Sequence, residues 1–413
     1  MNIDLLLLLI FAGVLAVVMY INKKKVDIEK IAFPLIYILM YRTKIGLKLM
    51  DKIAKKYPKA VGVFGFLGII FGYASMAFIF ILLTLKVWDF IFNGTPSPIA
   101  PLLPGIQTVP GIPILGFWHW IISIFILAGV HEFSHGLLSR LHDVDLKSSG
   151  FAILSVFLPI IPAAFVEPDE AQLIKKTKKQ QLEVLAAGSF SNYITAAIFL
   201  ILFLFVAVPA LSGTVESDGI LIAGLNEGFP AQKSGLSIGE EVIAVNDVNV
   251  GNLNDFFNAL ENLKIGNEIK LTTNVSSYNI VAVSAPSGFI DKIKFWGGEK
   301  GYLGVIPTAV TSDYKEGYKI IGEILAWIAL LFYWVFTINL AVGMFNMLPL
   351  GPVDGGRMFL LAAVFFLKDE KKAKKLWTFV SLFCLGLIII GLMPFLLKLL
   401  NFVLSPVLAL VMG

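Results

Sequence analysis

Long apolar segments with almost no charge recur along this 413-residue chain, and they constrain its fold more than any other feature. Six are long enough to cross a bilayer as a helix, which takes about 20 residues. Helices are expected because each backbone N–H and C=O within lipid must be paired inside its own segment. The chain is 57% hydrophobic and 15% charged, whereas soluble domains are about a quarter charged, which excludes a soluble protein. The predicted spans are Asp4–Ile21, Val61–Leu85, Leu115–Leu138, Leu182–Leu211, Ile320–Phe345 and Leu376–Leu399.

The basic residues between these segments predict how the chain crosses the membrane. Lysines and arginines cluster after the first span and before the second, fourth and sixth, whereas residues 86–113 contain one lysine. The positive-inside rule then puts the clusters in the cytosol and the N-terminus outside. We expect a multi-pass protein of the cell membrane.

Two further apolar stretches are too short or too interrupted to be spans. Ile31–Tyr41 is about half the needed length, which predicts an interfacial helix. Phe151–Val166 contains two prolines and many β-branched and aromatic residues, which favours extended chain. Because both of its flanks are predicted to be cytosolic, this second stretch should dip into the membrane and return.

Residues 213–310 change character. Short alternating runs such as Glu241–Asn246 predict strands, and Asn254–Leu263 predicts an amphipathic helix. We therefore expect a polytopic α-helical membrane protein with an inserted α+β soluble domain on the outer face. The predicted regions are 1–114 (two spans and a cytosolic amphipathic linker), 115–212 (two spans around the dipping segment), 213–310 (the soluble domain) and 318–413 (the last two spans).

The strongest chemical motif is His131-Glu132-x-x-His135. Helical spacing of four puts both imidazoles on one face, where they can bind one metal ion, and the glutamate can act as general base on a water at the metal. A chance match on an ordinary helix is the plain alternative. In an apolar span, however, ionisable residues are costly and usually functional. We predict a zinc site here, with one ion.

The third ligand that zinc requires must come from elsewhere in the chain. Asp354 is the only acid in a Pro- and Gly-rich stretch that should end the fifth span, and His142 is a weaker rival. Asn192, four residues after Gly188 in the fourth span, could hydrogen-bond substrate or oxyanion, or could serve helix packing. The metal-binding histidines, Asp354 and Asn192 all fall in the predicted cytosolic half of the membrane.

Three motifs in this order resemble the site-2 protease family of intramembrane metalloproteases. They are His131-Glu132-x-x-His135, Gly188-x-x-x-Asn192 and the run from Asn346 to Asp354-Gly-Gly, where Val353 stands in place of the family's frequent Leu. The resemblance implies that His131, His135 and Asp354 bind zinc and that Glu132 is the catalytic base. It also makes Asn192 and Asn346 candidates for substrate or oxyanion binding. The dipping segment resembles the family's strand-like element, which could hold an unwound substrate by strand addition.

The soluble domain resembles a PDZ domain through the phrase from Gly228 to Asn246. The resemblance implies a groove for peptides or C-termini near Gly219, Ile220 and Leu221, although a size filter or a rigid domain without a peptide is equally open.

These features together predict regulated intramembrane proteolysis of a membrane-protein substrate with a transmembrane segment. A non-catalytic relative that binds membrane helices or peptides is the alternative, but such a protein has no need of Glu132. A protease acting on soluble segments fits the apolar stretch before His131 poorly, and a transporter lacks paired broken helices. No nucleic-acid partner is expected.

Overall fold

The computed structural model describes residues 3–22, 26–32, 36–107, 112–156, 158–226, 228–284, 301–351 and 353–412. By packing, the chain divides into two compact units, residues 1–204 with 330–413 and residues 205–329. The helices are α1 (Ile3–Ile21), α2 (Leu47–Lys56), α3 (Pro58–Phe92), α4 (Phe117–Leu141), α5 (Glu170–Lys175), α6 (Lys178–Leu202), α7 (Val208–Ser212), α8 (Pro230–Lys233), α9 (Leu253–Ala259), α10 (Lys319–Asn346), α11 (Asp354–Leu367) and α12 (Glu370–Met412), with a π-helical turn at Phe203–Ala207. The strands are β1 (Val26–Ala32), β2 (Ile36–Thr43), β3 (Leu146–Val156), β4 (Leu158–Pro168), β5 (Val215–Leu225), β6 (Glu241–Val245), β7 (Val248–Asn249), β8 (Glu268–Thr273), β9 (Ser277–Val281) and β10 (Val305–Tyr314).

Five helices in the described part of the chain are long and apolar enough to cross a membrane. They are α3, α4, the continuous helical run 178–212, α10 and the part of α12 up to Lys398. Each of the last five predicted spans therefore coincides with a helix that is long and apolar enough to cross a membrane. The first predicted span forms α1, but its apolar part, Ile3–Val18, is shorter than the other five.

Small residues bring the membrane helices close together around α6. A methyl group added at Gly68 or Gly72 of α3 would lie 3.5 Å from the side chain of Ala186 in α6. Glycines spaced by about one helical turn let two backbones approach closely. Residues 185–192 of α6 are all buried, because α3, α4 and α11 pack around this part of the helix. These contacts fix the position of α6 beside the His131-Glu132-x-x-His135 motif.

A four-stranded antiparallel sheet accompanies these helices, in the order β1-β2-β3-β4. The hairpin of β3 and β4 contains the stretch Phe151–Val166, so the prediction of extended chain is confirmed. At the end of β4, Glu167 joins three strands by accepting hydrogen bonds from Ser148 and Arg42. The bond from Ser148, helped by the charge of Arg42, lowers the pKa of Glu167 against the effect of its partial burial. An ionised Glu167 therefore holds this end of the sheet together.

The prediction of an interfacial helix over Ile31–Tyr41 is wrong for the residues that the structure describes. Residues 26–32 form β1 and residues 36–43 form β2, while residues 33–35 lie outside the described chain. The cause is pairing at long range, because β2 forms a continuous ladder with β3 from Ile36↔Val156 to Thr43↔Ser149. Its isoleucine, tyrosine and threonine residues suit a pleated strand.

The second unit is built on a sheet in the order β10-β5-β6-β8-β9, with β7 paired to β6. Residues from β5, β6, β8 and α9 form its apolar core, including Ile222, Leu271 and Phe256. The predicted strand at Glu241–Asn246 is confirmed as β6, and the predicted helix at Asn254–Leu263 is confirmed as the shorter α9. The compact unit extends beyond the predicted limits of 213 and 310 on both sides.

Candidate metal centre

The structure brings His131, His135 and Asp354 together, although more than 200 residues separate the aspartate from the histidines in sequence. The Nε2 atoms of the two histidines lie 3.0 Å apart. Oδ2 of Asp354 lies 3.4 Å from Nε2 of His131 and 3.2 Å from Nε2 of His135. The three side chains are 10–18% exposed, so the cluster is sheltered but open enough for a water molecule.

These distances suit a tetrahedral zinc ion. Zinc binds histidine nitrogen and carboxylate oxygen at about 2.0–2.2 Å, and such bonds give a tetrahedron with edges of about 3.3 Å. The three measured separations, 3.0, 3.2 and 3.4 Å, all fall near that edge length. Two histidines and one carboxylate are also a ligand set of catalytic zinc sites, which leave the fourth position open.

A tight turn between α10 and α11 places Asp354 beside the two histidines. Helix α10 ends at Asn346 and Asp354 is the first residue of α11, as the prolines and glycines predict. A methyl group at Gly355 would lie 2.3 Å from the backbone of Met347, and one at Gly356 would lie 2.0 Å from the carbonyl oxygen of Leu350. The two glycines therefore let the connection fold tightly over the start of α11. A carboxylate is favourable there because the helix N-terminus carries partial positive charge.

One face of α6 supports both histidines from behind. The carbonyl oxygen of Val184 lies 2.7 Å from Nδ1 of His135, and because a carbonyl only accepts, this nitrogen must carry the proton. Nε2 of His135 is therefore free to bind metal. Asn192 is fully buried, and its Nδ2 lies 3.1 Å from Nδ1 of His131. Gly188 lies between these two positions, directly against the rings of both histidines.

Glu132 lies beside the edge of the four-stranded sheet. Its Oε2 accepts a hydrogen bond of 2.9 Å from the backbone N–H of Val166 in β4. That N–H points away from β3, because it is not used in the hairpin. The predicted base thus contacts the strand next to which a substrate is expected.

The remaining predicted residues fall outside the cluster. Nε2 of His142 donates to Glu183 at 2.6 Å and not to the metal cluster. The alternative prediction that His142 is the third ligand is therefore wrong. Asn346 is half-buried at the end of α10, and no partner for its side-chain amide is found in the described part of the chain. Its role in substrate binding stays a prediction.

The predicted peptide groove at Gly219, Ile220 and Leu221 does not fit the structure. These residues lie inside β5, which pairs with β10 on one side and β6 on the other. The side chain of Ile220 is fully buried in the core. With both edges occupied, no peptide strand can be added to β5 at this point.

Backbone groups are what the sequence could not reveal at this site. The carbonyl of Val184 and the N–H of Val166 each contact a key side chain, yet any residue type carries these groups. The only available signal was the helical spacing of Val184, Gly188 and Asn192, which puts all three on one face of α6.

Comparison with known proteins agrees with this geometry. The model of peptidase family M50 matches residues 119–388, which include all three ligands. The chain is 26% identical over 321 residues to an uncharacterised protein of Methanocaldococcus jannaschii, covering 76% of this chain and 74% of that protein. A protein of Clostridium perfringens is 22% identical over 294 residues, with 62% and 85% covered, and one of Fusobacterium nucleatum is 23% identical over 305 residues, with 62% and 86% covered. The names of these last two proteins give zinc metalloprotease as a provisional activity.

Proposed function

Because the chain belongs to peptidase family M50, we propose that it is a zinc metalloprotease that cuts peptide bonds within or beside transmembrane segments of membrane proteins. Zinc is its cofactor, and the protein crosses the membrane several times. One observation carries the intramembrane part of the proposal. Two of the three ligands lie on α4, a helix long and apolar enough to span a bilayer.

Glu132 performs the proton transfers in the proposed reaction. When bound, zinc supplies Lewis acidity toward the scissile carbonyl and the attacking water. Glu132 takes a proton from that water and passes one to the leaving nitrogen. Its hydrogen bond with Val166 orients the carboxylate beside β4 before substrate arrives.

The substrate is proposed to bind as an added strand along β4. Within the described residues, β4 pairs with β3 on one side only and has no strand on the other. The unpaired side is the one that carries the N–H of Val166 next to Glu132. An unwound substrate segment pairing there would lie beside the base, and backbone pairing needs no particular sequence.

The proposed topology keeps the basic loops in the cytosol and the inserted unit outside. One contact supports the parallel direction of the first and third spans, because Oδ1 of Asp4 accepts a hydrogen bond of 2.8 Å from the backbone N–H of Phe117. The N-termini of α1 and α4 are therefore neighbours, as the first and third of six spans should be. We propose the cell membrane as the location and regulated cleavage of membrane-tethered proteins as the role.

We also propose that the inserted unit binds a peptide or C-terminus, but along β10 rather than β5. Strand β10 ends the sheet, and no described strand pairs with its outer side. Helix α9 packs against both β10 and β5, so a peptide bound along β10 would lie near this helix.

Zinc content and cleavage, measured on the same purified protein, test the proposed activity. We expect Glu132→Gln to keep its zinc and lose cleavage of a reconstituted membrane substrate, since the ligands are intact and the base is not. Asp354→Asn should lose zinc and activity together. Asp369→Asn, which alters an acid near the start of α12, is the matched control and should match wild type.

Two results would contradict the proposal. Cleavage by Glu132→Gln at the wild-type rate would exclude this residue as the base. Zinc in the wild type with no cleavage of any membrane substrate would favour the alternative, a non-catalytic protein that binds membrane helices or peptides.

A further inference from the structure

Asn192 is a buried amide whose oxygen has no partner. The residue is fully buried in α6, and its Nδ2 contacts Nδ1 of His131 at 3.1 Å. Its Oδ1 makes no hydrogen bond among the described residues. A buried acceptor left unpaired is destabilising, so this oxygen requires an explanation.

The contact also has the wrong polarity for a metal ligand. An amide NH2 only donates, so Nδ1 of His131 would have to accept and the ring proton would sit on Nε2. Nε2 is the atom that faces His135 and Asp354. A ligand histidine needs the reverse, with a lone pair on Nε2 and the proton on Nδ1.

A half-turn of the amide gives the oxygen a partner and corrects the polarity, and it moves the NH2 group to the position where no partner is described. Exchanging the oxygen and nitrogen positions brings Oδ1 opposite Nδ1 of His131, where it accepts that proton. The only side-chain hydrogen bond seen for the Asn192 amide in the described structure is the one to His131, so the turn breaks no other contact. His135 provides the precedent in the same site, since the carbonyl of Val184 accepts from its Nδ1 at 2.7 Å.

We propose that Asn192 is a positioning residue that acts through His131. Its side-chain oxygen holds the ring in the tautomer and orientation in which Nε2 binds zinc. Ligand histidines commonly give their second N–H to such an acceptor. The inference rests on the proposed zinc site, and it replaces a role in substrate or oxyanion binding. A group bonded to Nδ1 lies behind the ligand, on the side away from the open coordination position.

Zinc affinity of the full-length protein, measured by competition with a chelator, tests this role. We expect Asn192→Ala to bind zinc about 10- to 100-fold more weakly than wild type, the usual effect of removing an outer partner of a ligand. Asn192→Asp keeps an acceptor at the same reach and should stay close to wild type. Asn339→Ala is the matched control, because Asn339 is also a fully buried asparagine with an unpaired Oδ1, yet it donates to Val335 and contacts neither histidine.

The melting temperature of each zinc-free variant separates loss of affinity from loss of fold. An Asn192→Ala protein that binds zinc like wild type but cleaves poorly would overturn the inference in favour of substrate contact. Equal weakening in Asn192→Ala and Asn192→Asp would also overturn it, because an acceptor would then be irrelevant. A wild-type protein that binds no zinc would instead refute the proposed function itself.

Discussion

Gly188 is required because the rings of the two ligand histidines lie directly against it. A methyl group at this position would lie 2.4 Å from Nε2 of His135 and 2.6 Å from Nε2 of His131. Carbon and nitrogen atoms that are not bonded cannot approach so closely, so either the rings or the helix must shift. The small residue that the sequence suggested for helix approach therefore makes room for the metal site.

Gly188→Ala should consequently lose zinc. We expect an affinity loss at least as large as the about 10- to 100-fold seen when an outer partner of a ligand is removed, because both imidazoles are displaced. Gly129→Ala is the control, since a methyl group at Gly129 of α4 has no neighbour within 4 Å. Chelator competition measures both variants. Wild-type affinity in Gly188→Ala would mean that the rings relax freely and that the site is not held by α6.

At this scale the sequence was informative where chemistry depends on side chains. The spacing of His131 and His135 determines their common face, and Asp354 was the only acid where a third ligand was expected. Asn192 was found by its motif, but its environment was not, because burial behind a ring depends on how two distant helices pack.

At the level of elements, the four-stranded sheet explains both the success and the failure of the sequence interpretation. Two prolines and β-branched residues marked the stretch that forms β3 and β4. Nothing local marked β2 as a strand, because its pairing partner β3 is more than 100 residues away. An isolated run of that length can form an amphipathic helix or a strand, and tertiary pairing decides between them.

The edge of β4 that no described strand pairs with leads to a prediction about substrate binding. The N–H of Val166 points away from β3, and the β3–β4 ladder is regular from Val166 to Ile161, so the N–H of Ala164 points the same way. Ala164→Pro should remove one donor for a substrate strand. We expect kcat/KM for a membrane substrate to fall about 2- to 13-fold, from a net hydrogen-bond contribution of about 0.5–1.5 kcal/mol. Zinc content should be unchanged.

Ala163→Pro provides the contrast. The N–H of Ala163 faces β3, so its removal breaks the hairpin and should lower the melting temperature more than Ala164→Pro does. If Ala164→Pro cleaves like wild type, substrates do not pair with this edge, and strand addition is excluded as the binding mode.

For the whole molecule, hydrophobic patterning predicted most of the organisation. The apolar segments and the change of composition near residue 213 were enough to distinguish membrane helices from an inserted sheet-containing unit. The position of a peptide groove was not predictable in the same way. Which strand lies at an edge depends on strand order, and β10 takes its place beside β5 although about 80 residues separate the two strands along the chain.

The proposed peptide site on the inserted unit can be located by hydrogen exchange on the full-length protein. The probe is an extended apolar peptide with a free C-terminal carboxylate, and its C-terminal amide is the matched ligand. Because N–H groups alternate between the two sides of a strand, an added strand would slow exchange only at the residues of β10 whose N–H points away from β5, and Pro307 has no N–H to report. Strand β9 is the control within the same molecule, because it ends the sheet on the opposite side.

Slower exchange in β10 with unchanged exchange in β9 is the result that strand addition requires, since only the paired edge gains hydrogen bonds. Recognition of a chain terminus adds a second condition, which is that the amidated peptide protects β10 less than the free acid. Equal protection by both peptides would mean that internal segments bind as well as C-termini. No protection of β10 by either peptide would exclude this edge as a peptide site and favour a unit that limits access to substrates by its size alone.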